Sequence, residues 1–81
     1  MKPTLTVLSR EYCHLCEELI TALRRFQGRY DFEIRVVDMD RHPELEEKWG
    51  DKVPVLLDGD LEICHYFLDA DAVDARLSRM K

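Results

Sequence analysis

The chain has 81 residues, 46% of them hydrophobic, and a net charge of −5 at pH 7. That length suits one domain, residues 1–81, with a single core that buries only ~60–65% of the unfolded surface. The acidic balance, with no basic cluster, argues against a nucleic-acid partner. No apolar run approaches the ~18–20 residues of a membrane span. Met1 to Ser9 lacks the basic leader and apolar core of a signal peptide, so the expected compartment is the cytoplasm. There the three cysteines, Cys13, Cys16 and Cys64, are expected as reduced thiols rather than structural disulfides.

Thr4 to Leu8 is a β-branched, apolar run of strand length, and Ser9 to Tyr12 turns out of it. From His14 the pattern becomes helical: Leu15, Leu19, Leu23 and Phe26 share a face, with Glu17 and Glu18 early and Arg24 and Arg25 late, as the macrodipole prefers. Gly28 ends this helix. Phe32 to Val37 predicts a second strand with Phe32, Ile34 and Val36 facing inward. Strand, helix and strand at this spacing form a parallel, right-handed βαβ unit.

Asp38 to His42 reads as a loop, and Pro43 suits the first position of a short helix over Glu44 to Trp49, stopped by Gly50. Lys52 to Leu57 predicts a third strand opening at Pro54. Asp58-Gly59 is a hairpin signal, and Leu61 to His65 is the fourth strand. Asp69 is the expected N-cap of a last helix, Leu68 is placed to staple against Val73, and Val73, Leu77 and Met80 form its apolar stripe. The order is β-α-β-α-β-β-α.

The chemistry concentrates in Tyr12-Cys13-His14-Leu15-Cys16, at the junction of the first strand and first helix. A cytosolic Cys-x-x-Cys is catalytic or metal-binding. Exchange needs a thiolate, and unpaired amides with the macrodipole at a helix N-terminus favour that anion. Cys13 lies at that end and is the expected nucleophile. Cys16, one turn in and aligned with Ile20 and Leu23, is the expected buried, resolving thiol.

The element order, the Cys13-x-x-Cys16 pair at the first strand–helix junction, Val53-Pro54 opening the third strand and the Asp58-Gly59 hairpin together resemble the glutaredoxin family of the thioredoxin superfamily. The resemblance covers nearly the whole chain. It implies an α/β, thioredoxin-like fold: a four-stranded mixed sheet with helices on both faces, and a final hairpin antiparallel to the first two strands. It also implies a cis Val53–Pro54 bond beside the reactive sulfur, with the backbone of Val53 pairing with an extended substrate. The function implied is thiol–disulfide exchange, with no resident cofactor. The partners implied are a disulfide-bearing client protein or small disulfide, and as reductant either glutathione or a thioredoxin-reductase-type enzyme.

Two departures bear on glutathione. Glutaredoxins usually carry Cys-Pro-Tyr-Cys, where this chain has Cys13-His14-Leu15-Cys16. They also carry Gly-Gly followed by acidic residues after the fourth strand, where the glutathione carboxylate is held. Counting from Pro54, Cys64 and His65 occupy those positions, and the first acidic residue is Asp69. The departures argue against glutathione as a tightly bound substrate.

Further candidate residues flank the pair. Tyr12 is expected as one wall of the site; Arg10 and Lys52 are either positive charges for an acidic client or a glutathione carboxylate, or ordinary solvated surface residues. His14, if protonated, would favour the Cys13 thiolate, although a helix N-terminus disfavours imidazolium; otherwise it is a solvated side chain. Cys64 is either a third redox thiol or a small buried residue. Two alternative functions compete. One is a metal or iron–sulfur module using Cys13, Cys16 and Cys64 with His14 or His65, weakened because tetrahedral sites need four ligands. The other is an interaction module that kept the fold and lost the reaction. A monomer is the simplest expectation.

Overall fold

The computed structural model describes residues 2–80; Met1 and Lys81, which the expected domain includes, lie outside the described residues. Strand β1 (Thr4–Ser9) leads into α1 (His14–Arg25), extended by a 3-10 turn over Phe26–Gly28. Strand β2 (Glu33–Asp38), a second 3-10 turn (Met39–Arg41), α2 (Pro43–Trp49) and a third turn (Gly50–Lys52) follow. The chain closes with β3 (Val55–Asp58), β4 (Leu61–His65) and α3 (Ala70–Arg79).

The sheet order is β2-β1-β3-β4. β1 and β2 are parallel, from Thr4 opposite Glu33 to Ser9 opposite Asp38. β3 runs antiparallel to β1, with Leu8 opposite Val55. β4 turns back against β3 and so runs in the direction of β1 and β2. The hairpin therefore opposes the first two strands through β3 alone, which corrects the sequence expectation.

Strand alternation distributes the core to both faces. On one face Leu5, Val7 and Leu56 pack with Leu19 and Leu23 of α1 and Val73 and Leu77 of α3. On the other, Leu8, Val55 and Leu57 pack with Met39, and with Leu45 and Trp49 of α2. Each helix lies where its apolar stripe can leave water, so α1 and α3 cover one face and α2 the other.

Two local expectations change. The ladder of the third strand begins at Val55 rather than Lys52, because the chain first makes the Gly50–Lys52 turn and Pro54 has no N–H to donate. On β2, Ile34 packs against the α1/α3 core. Val36, on the same face but further along an edge strand, stays 49% exposed, and the inward role expected for it does not hold. The hairpin loop is Gly59-Asp60 between paired Asp58 and Leu61, with Gly59 at φ +62°, the conformation a type II′ turn needs at that position. Asp69 caps α3 by accepting from Ala72 N at 3.1 Å.

Candidate functional site

β1 delivers the chain to a four-residue loop whose last member, Cys13, is the N-cap of α1. Cys13 is extended (φ −103°, ψ 106°), and its Sγ accepts a hydrogen bond from Cys16 N at 3.2 Å. Its carbonyl accepts from Glu17 N at 3.2 Å. Cysteine thus occupies a position usually held by Ser, Thr, Asp or Asn, with sulfur accepting from an N–H that the helix leaves unpaired. The same N–H and the macrodipole would stabilise negative charge on that sulfur.

Cys13 and Cys16 are joined as a disulfide, with Cα atoms 5.2 Å apart. Cys16 is buried, 1% exposed, and Cys13 is half-buried. The outer sulfur belongs to Cys13, in keeping with the relative exposure expected from the sequence. Tyr12, just before it, is 97% exposed with φ +59°. It projects from the rim of the site rather than packing as a wall.

Pro54 is buried, and the Val53–Pro54 bond is cis. Since Leu8 pairs with Val55, the antiparallel register carries Pro54 alongside Ser9, at the mouth of the cysteine loop. Val53 is extended (φ −64°, ψ 135°) and lies outside the β3 ladder.

Arg10 does not face a client as expected. Its Nη1 meets Asp40 Oδ1 at 3.1 Å, while Nη2 reaches Glu46 Oε2 at 2.6 Å and donates to Gly50 O at 2.7 Å. The Glu46 hydrogen bond, helped by the charges of Glu46 and Asp40, holds the guanidinium pKa above its ordinary value. Arg10 has no charge to spare for a substrate carboxylate. It ties the loop ahead of Cys13 to the turn ahead of Pro54, and its partners lie 30 and 36 residues away. Lys52 is likewise drawn over the Trp49 ring, 5.7 Å from its centroid.

His14 is 88% exposed, with Nε2 3.9 Å from Glu18 Oε1. It extends along α1 and is a solvated side chain rather than a partner of the sulfur. Cys64 is buried in the α1/α3 core, 8% exposed and opposite Leu56. A bulge between Leu56 and Leu57 shifts the β4 register and turns Cys64 to that face. Burial pushes its thiol pKa up, opposed in part by a hydrogen bond from the Asp69 backbone. Its burial among the α1/α3 side chains places Cys64 as a core residue, the second of the two readings expected for it. Among the described residues no group of three or more His, Cys, Asp or Glu side chains is placed to hold a metal ion. The alternative Cys13, Cys16 and Cys64 ligand set is not assembled among the described residues.

Tyr66 went unremarked in the sequence. It follows β4 with φ +65°, donates its backbone N–H to Pro54 O at 2.8 Å and its hydroxyl to Asp51 O at 2.5 Å. Nothing in a His-Tyr-Phe run predicts the left-handed backbone that allows this.

A β2-β1-β3-β4 sheet with helices on both faces, and a cysteine pair opening the helix after β1, define a thioredoxin-fold domain. Residues 4–78 match the family model described as Glutaredoxin-like domain (DUF836), and the chain belongs to that family. It is similar to protein Ne2328 of Nitrosomonas europaea, solved by solution NMR, at 44% identity and TM-score 0.85 over 95% of this chain and 93% of that one. It is also similar to protein XcR50 of X. campestris, at 32% identity and TM-score 0.72 over 95% of this chain and 99% of that one. Thioredoxin 1 of Thermosipho africanus, 18% identical with TM-score 0.62 over 94% of this chain and 96% of that one, shares the fold. No curated protein matches the sequence. No described helix is long and apolar enough to cross a membrane.

Proposed function

We propose that this protein is a dithiol oxidoreductase acting through Cys13 and Cys16. The observation that carries the reading is the asymmetry of the pair: both sulfurs lie in the first turn of α1, one at its accessible N-cap and the other buried beneath it. In the reduced protein, the Cys13 thiolate attacks one sulfur of a client disulfide. A Cys13–client mixed disulfide forms and the first client thiolate leaves. The Cys16 thiolate then attacks Cys13 Sγ, closing the Cys13–Cys16 disulfide and releasing the second client thiolate. Two electrons pass to the client, and an external dithiol or thiol reductant restores the pair. The reaction as written uses the two sulfurs alone, with no resident cofactor.

A protein or peptide disulfide suits the site better than tightly held glutathione. Cys64 is buried, His65 Nδ1 lies 3.0 Å from Glu62 Oε2, and Asp69 is occupied in capping α3. A reductase-type enzyme is accordingly the proposed electron donor, acting on a monomer in a compartment that keeps thiols reduced.

Trapping tests the reading. The Cys16→Ser variant, mixed with a peptide disulfide, is expected to accumulate a mixed disulfide on Cys13 that persists on non-reducing gels and by mass. Cys13→Ser is expected to trap nothing. Equal trapping by both variants, or by neither, would count against the assigned roles.

A further inference from the structure

Tyr66 makes two separate attachments to the segment that precedes β3. Its N–H donates to Pro54 O at 2.8 Å, and its hydroxyl donates to Asp51 O at 2.5 Å. The two acceptors bracket Lys52 and Val53, so one residue holds both ends of the stretch that carries Val53. The attachments need a chain reversal just after β4, and Tyr66 supplies it at φ +65°, a region that residues with a β-carbon seldom adopt. Backbone held in such a region tends to mark functional segments that the surroundings over-determine. Tyr66 is 40% exposed, so core packing does not explain its placement. It is met edge-on by His65, with centroids 4.8 Å apart, and His65 is itself held by Glu62 at 3.0 Å.

We infer that Tyr66 is a positioning residue for exchange with extended disulfide substrates, clamping Asp51 and Pro54 so that Val53 is fixed beside the cysteine pair. The inference rests on the dithiol-exchange reading. A substrate whose disulfide is embedded in a chain must lay that chain along the site to bring its sulfur in line with Cys13. The neighbouring segment of this protein, extended at Val53 and outside the sheet ladder, is the surface it meets. A segment free to shift loses alignment, and small misplacements at a reacting centre cost rate. A small disulfide with no flanking chain does not use that surface.

Tyr66→Phe removes the hydroxyl and keeps the ring, the backbone N–H and the turn. Pre-reduced wild type and variant are each oxidised by a disulfide-bonded peptide and, separately, by the small aromatic disulfide dithiobis(nitrobenzoate). Acid quench, alkylation and mass then report closure of the Cys13–Cys16 bond. The expected result is a peptide rate lowered about three- to tenfold, with the small-disulfide rate within about twofold of wild type. A general loosening of the fold would move both rates together. If both rates fall together, or neither changes, Tyr66 does not position this segment and the inference is overturned. Wild type that reacts with neither disulfide would overturn the exchange reading itself, a result distinct from the other two.

Discussion

Replacing Arg10 with methionine tests whether the guanidinium joins the two halves of the site. Arg10→Met keeps most of the aliphatic stem and removes three interactions at once. The bond to Gly50 O, 2.7 Å and partly buried, pairs a charged donor with a backbone acceptor and contributes about 1.5–3 kcal/mol. The ion pairs to Asp40 and Glu46, whose side chains are 55% and 46% exposed, add roughly 0.2–1 kcal/mol each. Interactions sharing one group are not additive, so about 2–3 kcal/mol is the expected cost. At about 4–8 °C per kcal/mol for a domain of this size, the variant should melt about 10–20 °C below wild type.

Far-UV circular dichroism of the oxidised proteins, at low salt and at 0.5 M salt, measures the difference. Salt screens the exposed ion pairs but leaves the carbonyl bond, so most of the difference should survive. Arg10→Lys supplies a point charge without the planar fork that serves three acceptors, and should recover less than half of the loss. A difference under about 3 °C, or one that vanishes in salt, would reduce Arg10 to a surface ion pair and refute the reasoning.

Three further outcomes can be checked on the same protein. Gly59→Ala should cost about 1–2 kcal/mol in chemical denaturation, from the positive φ alone, since an added Cβ meets nothing within 4 Å; a neutral result would mean that the hairpin relaxes. Cys64→Ser, which places a hydroxyl in the α1/α3 core, should cost about 1–2 kcal/mol and leave the redox titration of the cysteine pair unmoved. Because burial raises the folded pKa of Cys64, its proton contributes stability below the unfolded thiol's pKa. That share is lost as pH rises past about 8.5 toward the folded value. Wild type should therefore lose stability relative to Cys64→Ala on the alkaline side, and parallel pH curves would contradict the assignment.

Much of the fold was legible because local signals and core requirements agree. The α1 start, the β4 bounds and the Asp69 cap each follow from a residue pattern read over a few positions. The place of the cysteine pair was legible for the same reason, since it sits where β1 hands over to α1. Arg10 was misjudged because its role depends on Asp40, Glu46 and Gly50, distant in sequence and adjacent only once α2 docks on the sheet. Cys64 stayed between two readings because a one-residue bulge decides which face it meets, and no residue type in Leu61 to His65 announces that bulge. Tyr66 was overlooked because its importance lies in a backbone conformation that its residue type disfavours.

The central claim is that Cys13 and Cys16 exchange a disulfide reversibly. Equilibrating the protein across a series of glutathione redox buffers, trapping free thiols by alkylation and weighing the products tests it most directly. The account predicts two species interconverting with a midpoint within the range of about −270 to −120 mV spanned by thiol–disulfide exchange proteins, with Cys64 free throughout. A pair that stays unlinked and slow to alkylate at every poise would contradict it.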